Sequence, residues 1–330
     1  MSASAEAVTD PPTTIQVGVL DYYEPPNRKD LEAELSGLKT NFAEGKEEAD
    51  RLAVAADCDV LLAGWQPVSA AVIEASPRLR MIQKMGVGVD KIDTEAAAAR
   101  GVRVLRAAGI NADAVAEMTI LLILAVLREL PWATSQLRAG AWEKETLRAR
   151  TTQLPDQRVG LIGLGAIGAE VAARLKAFKV ETAFFDVAPA PASLADPPTP
   201  MALDELLAWS DIVSLHVPLT PQTRNLLDAE RLAALKPGGV VINTARGGLI
   251  DEDALCDAID SGHLRGAGLD VTAAEPVSPD SRLLKSDRII VTPHQGGAVA
   301  SNFANVARRA RSNIQDFFAG KPLREGDVVC

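Results

Sequence analysis

The chain has 330 residues, 47% hydrophobic and 24% charged, with a formal net charge of −10 at pH 7. That length exceeds one ordinary core and points to two domains of a soluble globular protein, not to a disordered chain. The acidic balance argues against an extended nucleic-acid-binding face, and the longest apolar run, residues 118–127, is too short to cross a bilayer. Cys58, Cys256 and Cys330 are scattered without metal-ligand spacing, which suits free thiols in a reducing cytoplasm and no bound metal.

Residues 1–14 are small, polar and proline-containing, with neither a basic nor an apolar segment, so they read as a frayed tail and not as a secretory signal. Residues 15–20 read as a strand, followed by a charged helix near 29–36. Further strands are expected at 60–63, at 79–85 (running into Gly86-Val87-Gly88-Val89-Asp90) and at 101–105. Strands alternating with helices predict a parallel sheet covered on both faces. Ligands bind such sheets at the carboxyl ends of the strands, so 84–90 is already a candidate site.

The texture changes near Gly109. Residues 111–128 form a long, mostly apolar helical stretch, and 131–145 a second one with Trp132 and Trp142. A helix apolar on nearly all faces has to be covered, either inside a domain core or by a second subunit. From Arg158 the alternation resumes, with strands expected at 158–162, 182–185, 212–215, 240–243, 266–269 and 289–292, and a Pro/Ala-rich loop at 187–200. Residues 299–318 read as a helix returning to the first domain. A domain over 109–297 would then be inserted in one made of 1–108 and 298–330.

The stretch Val159-Gly160-Leu161-Ile162-Gly163-Leu164-Gly165-Ala166-Ile167-Gly168 ends an apolar run in the spacing G-x-G-x-x-G. In this pattern one glycine makes the tight turn, one lets a pyrophosphate approach the backbone, and one lets the helix pack on the strand. The helix start then offers free N–H groups to the anion. A glycine turn without a ligand is the bland alternative. Asp186, which ends the next apolar run at close to the expected spacing for gripping an adenosine ribose, favours the dinucleotide.

Hydride transfer to a carbonyl also needs a proton carrier and a group to hold the substrate. His294, between Pro293 and Gln295-Gly296-Gly297 at a strand end, is the best general acid–base of three histidines. His216 reads as a strand-end residue near the cofactor, and His263 as a solvated surface side chain. Arg246 ends a buried strand and could clamp a carboxylate, or pair with Asp251 or Asp253. Glu275 could orient the imidazole and raise its pKa; taken alone, it reads equally as an exposed loop glutamate.

The ordered set Gly163-x-Gly165-x-x-Gly168, Asp186, Asn243-Thr244-Ala245-Arg246-Gly247-Gly248, Gly268-Leu269-Asp270-Val271 with Glu275-Pro276, and Thr292-Pro293-His294 resembles the NAD-dependent D-2-hydroxyacid dehydrogenase family. The resemblance runs from about Met81 to about Arg309, and 84–90 is most similar to its phosphoglycerate dehydrogenase-like branch. It implies an α/β protein of two doubly wound parallel-sheet domains, a Rossmann NAD-binding domain inserted into a flavodoxin-like substrate domain. It implies a catalytic set of Arg246, Glu275 and His294, with Val87 and Gly88 gripping the substrate carboxylate. Lys84 suits a second anionic group on the substrate, or is simply a solvated strand end. NAD would meet Gly163, Gly165, Ala166, Ile167, Gly168, Asp186, Val217, Pro218, Thr223, Thr244, Ala245, Arg246, Asp270, His294 and Gly296.

The reaction implied interconverts a D-2-hydroxy acid and its 2-keto acid, in a homodimer joined through 111–145. Thr272, where the family often has an aromatic, and Gln295-Gly296-Gly297 depart from the pattern and blur substrate identity. A non-enzymatic NAD-sensing corepressor of the same fold remains the alternative.

Overall fold

A computed structural model describes residues 14–330, so the tail read into 1–14 lies outside the described residues except for Thr14. The chain divides into two compact units, one of Met1–Ile110 with Ala300–Cys330 and the other of Asn111–Val299. Each is built on a single parallel sheet.

In the first unit the strands are β1 (Gln16–Val19), β2 (Lys39–Phe42), β3 (Val60–Ala63), β4 (Met81–Lys84) and β5 (Arg103–Leu105), in the order β2-β1-β3-β4-β5. This is the flavodoxin-like order, which reverses direction between β1 and β3. Val-Leu-Leu-Ala of β3 is buried throughout, the continuous apolar run of a strand covered on both faces. The helix Ala300–Phe318 returns to this sheet and buries Ala307, Ala310 and Ile314 with Val17, Val19 and Leu62.

The second unit carries β6 (Arg158–Ile162), β7 (Glu181–Phe185), β8 (Thr199–Pro200), β9 (Ile212–Leu215), β10 (Gly239–Asn243), β11 (Leu264–Leu269) and β12 (Ile289–Val291). The order β12-β11-β10-β9-β6-β7-β8 reverses at β6 and β9, the Rossmann arrangement. The helix Ala112–Leu127 forms much of its core, with Leu122 and Val126 lying directly over Gly268 and Gly266 of β11.

The expected α/β class and the two doubly wound sheets are therefore present. Four local readings need correction. Lys-Thr-Asn-Phe of β2 forms a strand not expected, because an edge strand pairs on one side only and tolerates polar residues. The expected loop 187–200 ends in the two-residue edge strand β8, where Pro200 is tolerated because no further strand needs its missing N–H. The helix expected over 131–145 is two, Leu130–Arg138 and Lys144–Arg150, separated by a turn at Ala139-Gly140. His263, read as solvated, is half-buried with Nε2 shut off from water, in a turn whose backbone is tied down where the His263 carbonyl accepts from the Gly238 N–H at 2.7 Å. No helix among the described residues is long and apolar enough to cross a membrane.

The C-terminal tail closes the free edge of the first sheet through an antiparallel bridge between Leu105 and Val328. Next to it the Asp327 carboxylate, 1% exposed, accepts from the Ala108 N–H at 2.8 Å, from Arg309 at 3.0 Å and from Asn313 at 3.1 Å. Removing one partner of a buried ion pair leaves the other charge uncompensated. Asp327→Ala is therefore expected to cost about 3 kcal/mol or more in urea unfolding. A loss below about 0.5 kcal/mol, the size of an ordinary surface substitution, would show that the tail does not hold the edge.

Candidate active site

In both sheets the residues singled out in the sequence lie at or beyond the carboxyl ends of their strands. In the second unit β6 stops at Ile162 and the chain turns at Gly163, whose φ of +98° is a left-handed value that a side chain resists. A Cβ at Gly163 would also meet the His216 backbone at 2.8 Å, since β9 ends alongside and the His216 N–H donates to Ile162 O. At Gly168 a Cβ would lie 2.2 Å from Gly163 O, so the helix Ala166–Ala177 packs on its own entry turn only with glycine there. Around Gly165 nothing lies within 4 Å of the Cβ position, and no side chain caps this helix start. An open backbone face at an uncapped helix N-terminus fits a dinucleotide pyrophosphate.

Asp186, just past β7, ties this loop down. Its carboxylate accepts from the Leu164 N–H at 2.7 Å and the Ala188 N–H at 2.9 Å, and a carboxylate has further lone pairs for ribose hydroxyls. Val217 and Pro218 follow β9, and the Thr223 hydroxyl donates to Pro218 O at 2.7 Å, folding that loop back on itself. Burial pushes the His216 imidazole down to about 4. Its Nε2 meets Ser214 Oγ at 3.0 Å and its Nδ1 is buried without a hydrogen-bond partner. His216 is thus neutral at physiological pH, a packing group beside the glycine turn.

At the end of β10 the Asn243 side chain builds the next turn, accepting from the Ala245 N–H at 3.0 Å and donating to Arg246 O at 2.8 Å. The Thr244 hydroxyl lies 2.9 Å from that of Thr119 on the long helix. This turn sends out the half-buried Arg246, whose Nη1 donates to Ala245 O at 2.6 Å. Of the two acids offered as its ion-pair partners, Asp251 caps the helix Glu252–Asp260 and Asp253 lies 3.6 Å from Arg282.

β11 leads into Asp270, 1% exposed. Its Oδ1 accepts from the Thr292 hydroxyl at 2.6 Å and the Gln295 N–H at 2.9 Å, its Oδ2 accepts from the Gly296 N–H at 2.8 Å, and its carbonyl accepts from the His294 N–H at 2.8 Å. These bonds hold His294 at φ +51°, a strained value for a non-glycine residue. The ring is presented with Nδ1 at 3.0 and 3.1 Å from the two Glu275 oxygens. Glu275 is therefore no stray loop glutamate. A carboxylate on Nδ1 fixes the imidazole orientation and tautomer and leaves Nε2 as the nitrogen for proton exchange. Thr272, 7% exposed, turns its hydroxyl to Ala274 O.

Of the residues singled out in the sequence, those from Gly163 to Gly296 all belong to the second unit, while in the first Lys84 ends β4 and Val87 and Gly88 follow it, all three half-buried. Sequence reasoning did not assign the turn-building role of Asn243 or the clamp made by Asp270. A polar side chain closing a buried apolar run was the available signal in both cases.

The NAD-binding domain of the D-isomer specific 2-hydroxyacid dehydrogenases matches residues 120–296. The chain belongs to that family. Its nucleotide-binding domain is by family an NAD-binding domain, and NAD is the cofactor that domain takes. It is 41% identical over 265 residues to the D-3-phosphoglycerate dehydrogenase of Mycobacterium leprae, covering 80% of this chain and 50% of that one. It is 40% identical to the hydroxypyruvate reductase of Thermotoga maritima, covering 78% of this chain and 84% of that one. The TT0316 protein of Thermus thermophilus superposes with a TM-score of 0.85 at 34% identity, over 96% of this chain and 100% of that one. The chain spans about half the length of the phosphoglycerate dehydrogenases it matches.

The two glycines at the helix start separate binding from packing. Gly165→Ala should leave the urea midpoint unchanged and weaken NADH binding in a fluorescence titration, because its methyl points into open space. Gly168→Ala should weaken binding and also cost about 1–3 kcal/mol of stability, the usual penalty of overpacking. Unchanged NADH affinity in Gly165→Ala would remove this loop as the pyrophosphate cradle.

Proposed function

We propose that the protein interconverts a D-2-hydroxy acid and its 2-keto acid, with Arg246, Glu275 and His294 as the catalytic set. The observation that carries this reading is the Glu275 carboxylate on Nδ1 of His294, at the sheet edge that also bears the glycine turn. NAD, when bound, takes or gives the hydride. His294 Nε2 gives a proton to the carbonyl oxygen on reduction and takes it back on oxidation. Glu275 stabilises the imidazolium that this requires. Arg246 holds the substrate carboxylate and polarises the neighbouring carbonyl; the amides around Val87 and Gly88, with Lys84, are read as substrate-binding groups from the resemblance. Asp186 favours NAD over NADP because a carboxylate repels a 2′-phosphate.

The test is NADH oxidation with glyoxylate, hydroxypyruvate and 2-ketobutyrate. His294→Ala should lower kcat by about 100-fold or more, the usual share of a general acid, with NADH affinity retained. Turnover surviving within a few-fold would remove His294 as the acid–base. A higher kcat/KM with NADPH than with NADH would overturn the role of Asp186. Absence of turnover across the series, with NADH bound tightly, would favour a cofactor-sensing binding protein.

A homodimer joined through 111–145 is part of the same proposal. Leu121 and Leu137 on these helices are more than half exposed, and Trp142, in the link between the last two, is 80% exposed, apolar surface of the kind that subunit contacts cover. Sedimentation equilibrium should give twice the chain mass, and a monomer at micromolar concentration would remove this contact. A reducing compartment such as the cytoplasm suits the three unbridged thiols.

A further inference from the structure

We infer that Trp65 sets the side-chain preference of the first unit, and that the substrate is an unphosphorylated 2-keto or 2-hydroxy acid with an apolar or aromatic side chain. This rests on the oxidoreductase reading above and narrows it.

Open α/β sheets take ligands outside the carboxyl ends of their strands, at the point where strand order reverses. In the first unit that point lies between β1 and β3. β1 leads into Asp21, 0% exposed, and β3 leads into Gly64-Trp65-Gln66. The Asp21 carboxylate accepts the backbone N–H of all three: Gly64, Trp65 at 2.9 Å and Gln66 at 2.9 Å. Burying a carboxylate is costly, and burial pushes Asp21 above the usual carboxylate range. Here that cost holds one three-residue turn rigid.

The large side chain this turn presents is Trp65, 51% exposed. Its indole is braced edge-on by the buried Tyr23, with ring centroids 5.1 Å apart, and Tyr23 is backed in turn by Phe303 at 5.9 Å. A rigidly held indole offers a flat apolar face at little entropic cost. Positive charge around it is already engaged. Lys84 closes β4 in register with Ala63, the last residue of β3, and acts on the Asp21 carboxylate. Arg51 is buried and donates to Lys46 O at 3.0 Å and to the Gln66 side chain at 3.3 Å. Lys46 lies over the Tyr22 ring. A dianionic phosphate would meet a tryptophan face and a cation already facing a carboxylate. An apolar or aromatic side chain would meet a surface that matches it.

The experiment measures kcat and KM with NADH for glyoxylate, pyruvate, phenylpyruvate and 3-phosphohydroxypyruvate, on the full chain and on its Trp65→Ala and Trp65→Phe variants. The expected result is kcat/KM rising from glyoxylate to phenylpyruvate, with 3-phosphohydroxypyruvate about tenfold or more below phenylpyruvate, a discrimination apolar pockets reach. Trp65→Ala should lose about tenfold on phenylpyruvate through KM while glyoxylate stays within about twofold, and Trp65→Phe should recover most of the loss. Because Trp65 is half exposed, the alanine variant leaves no core cavity. Preference for 3-phosphohydroxypyruvate overturns the inference, as does an equal loss on glyoxylate and phenylpyruvate, or no loss on either. In each of these cases glyoxylate turnover leaves the dehydrogenase reading standing. No turnover with any acid takes down both.

Discussion

Backbone N–H groups that run past the end of a parallel sheet have no ladder partner, and in this protein aspartates receive them. Asp21 after β1 takes the N–H groups of the turn after β3. Asp186 after β7 takes that of Leu164 after β6. Asp270 after β11 takes those of Gln295 and Gly296 after β12. In each case a carboxylate on one strand sets the loop of its neighbour, which is how a sheet edge becomes a rigid platform. An unpaired N–H near the core costs free energy comparable to a lost hydrogen bond, so these carboxylates stabilise the fold while they shape its surface.

The division of labour among the acidic groups follows from what each one faces. Asp270 faces backbone and the Thr292 hydroxyl, and its work is to hold His294 in a conformation the residue does not favour. Glu275 faces the imidazole and fixes its orientation through Nδ1. Asp186 faces the backbone N–H groups of the glycine loop and of its own turn at Ala188. His216, beside the same loop, is kept neutral because burial opposes its charge and no acid offsets that cost.

The interior strands were legible because a parallel strand covered on both faces is buried throughout and must be largely apolar, as in β3, β9 and β10. The edge strands β2 and β8 were not, since one-sided pairing relaxes that demand and admits Lys39, Thr40, Asn41 and even Pro200. At the site, Gly163 and Gly168 could be read from their spacing because backbone sterics exclude side chains there. The contact between Glu275 and His294 could only be expected from resemblance. Nothing in the local sequence of either residue requires the other, and the pair forms because two neighbouring strands end side by side.

The sequence by itself determined the α/β class and the dinucleotide loop, because periodicity and glycine spacing are local demands of backbone geometry, and its ordered motifs carried the resemblance to the family. Tertiary structure decided what the polar residues do. Asp270 clamps the loop after β12, and Asn243 builds the turn that presents Arg246. It also turned Trp65 from one of four tryptophans into a braced aromatic face at the point where the first sheet reverses. The physical reason is the same throughout. A hydrogen bond or ring contact across strands depends on strand order, and strand order is set by how the whole sheet buries its faces.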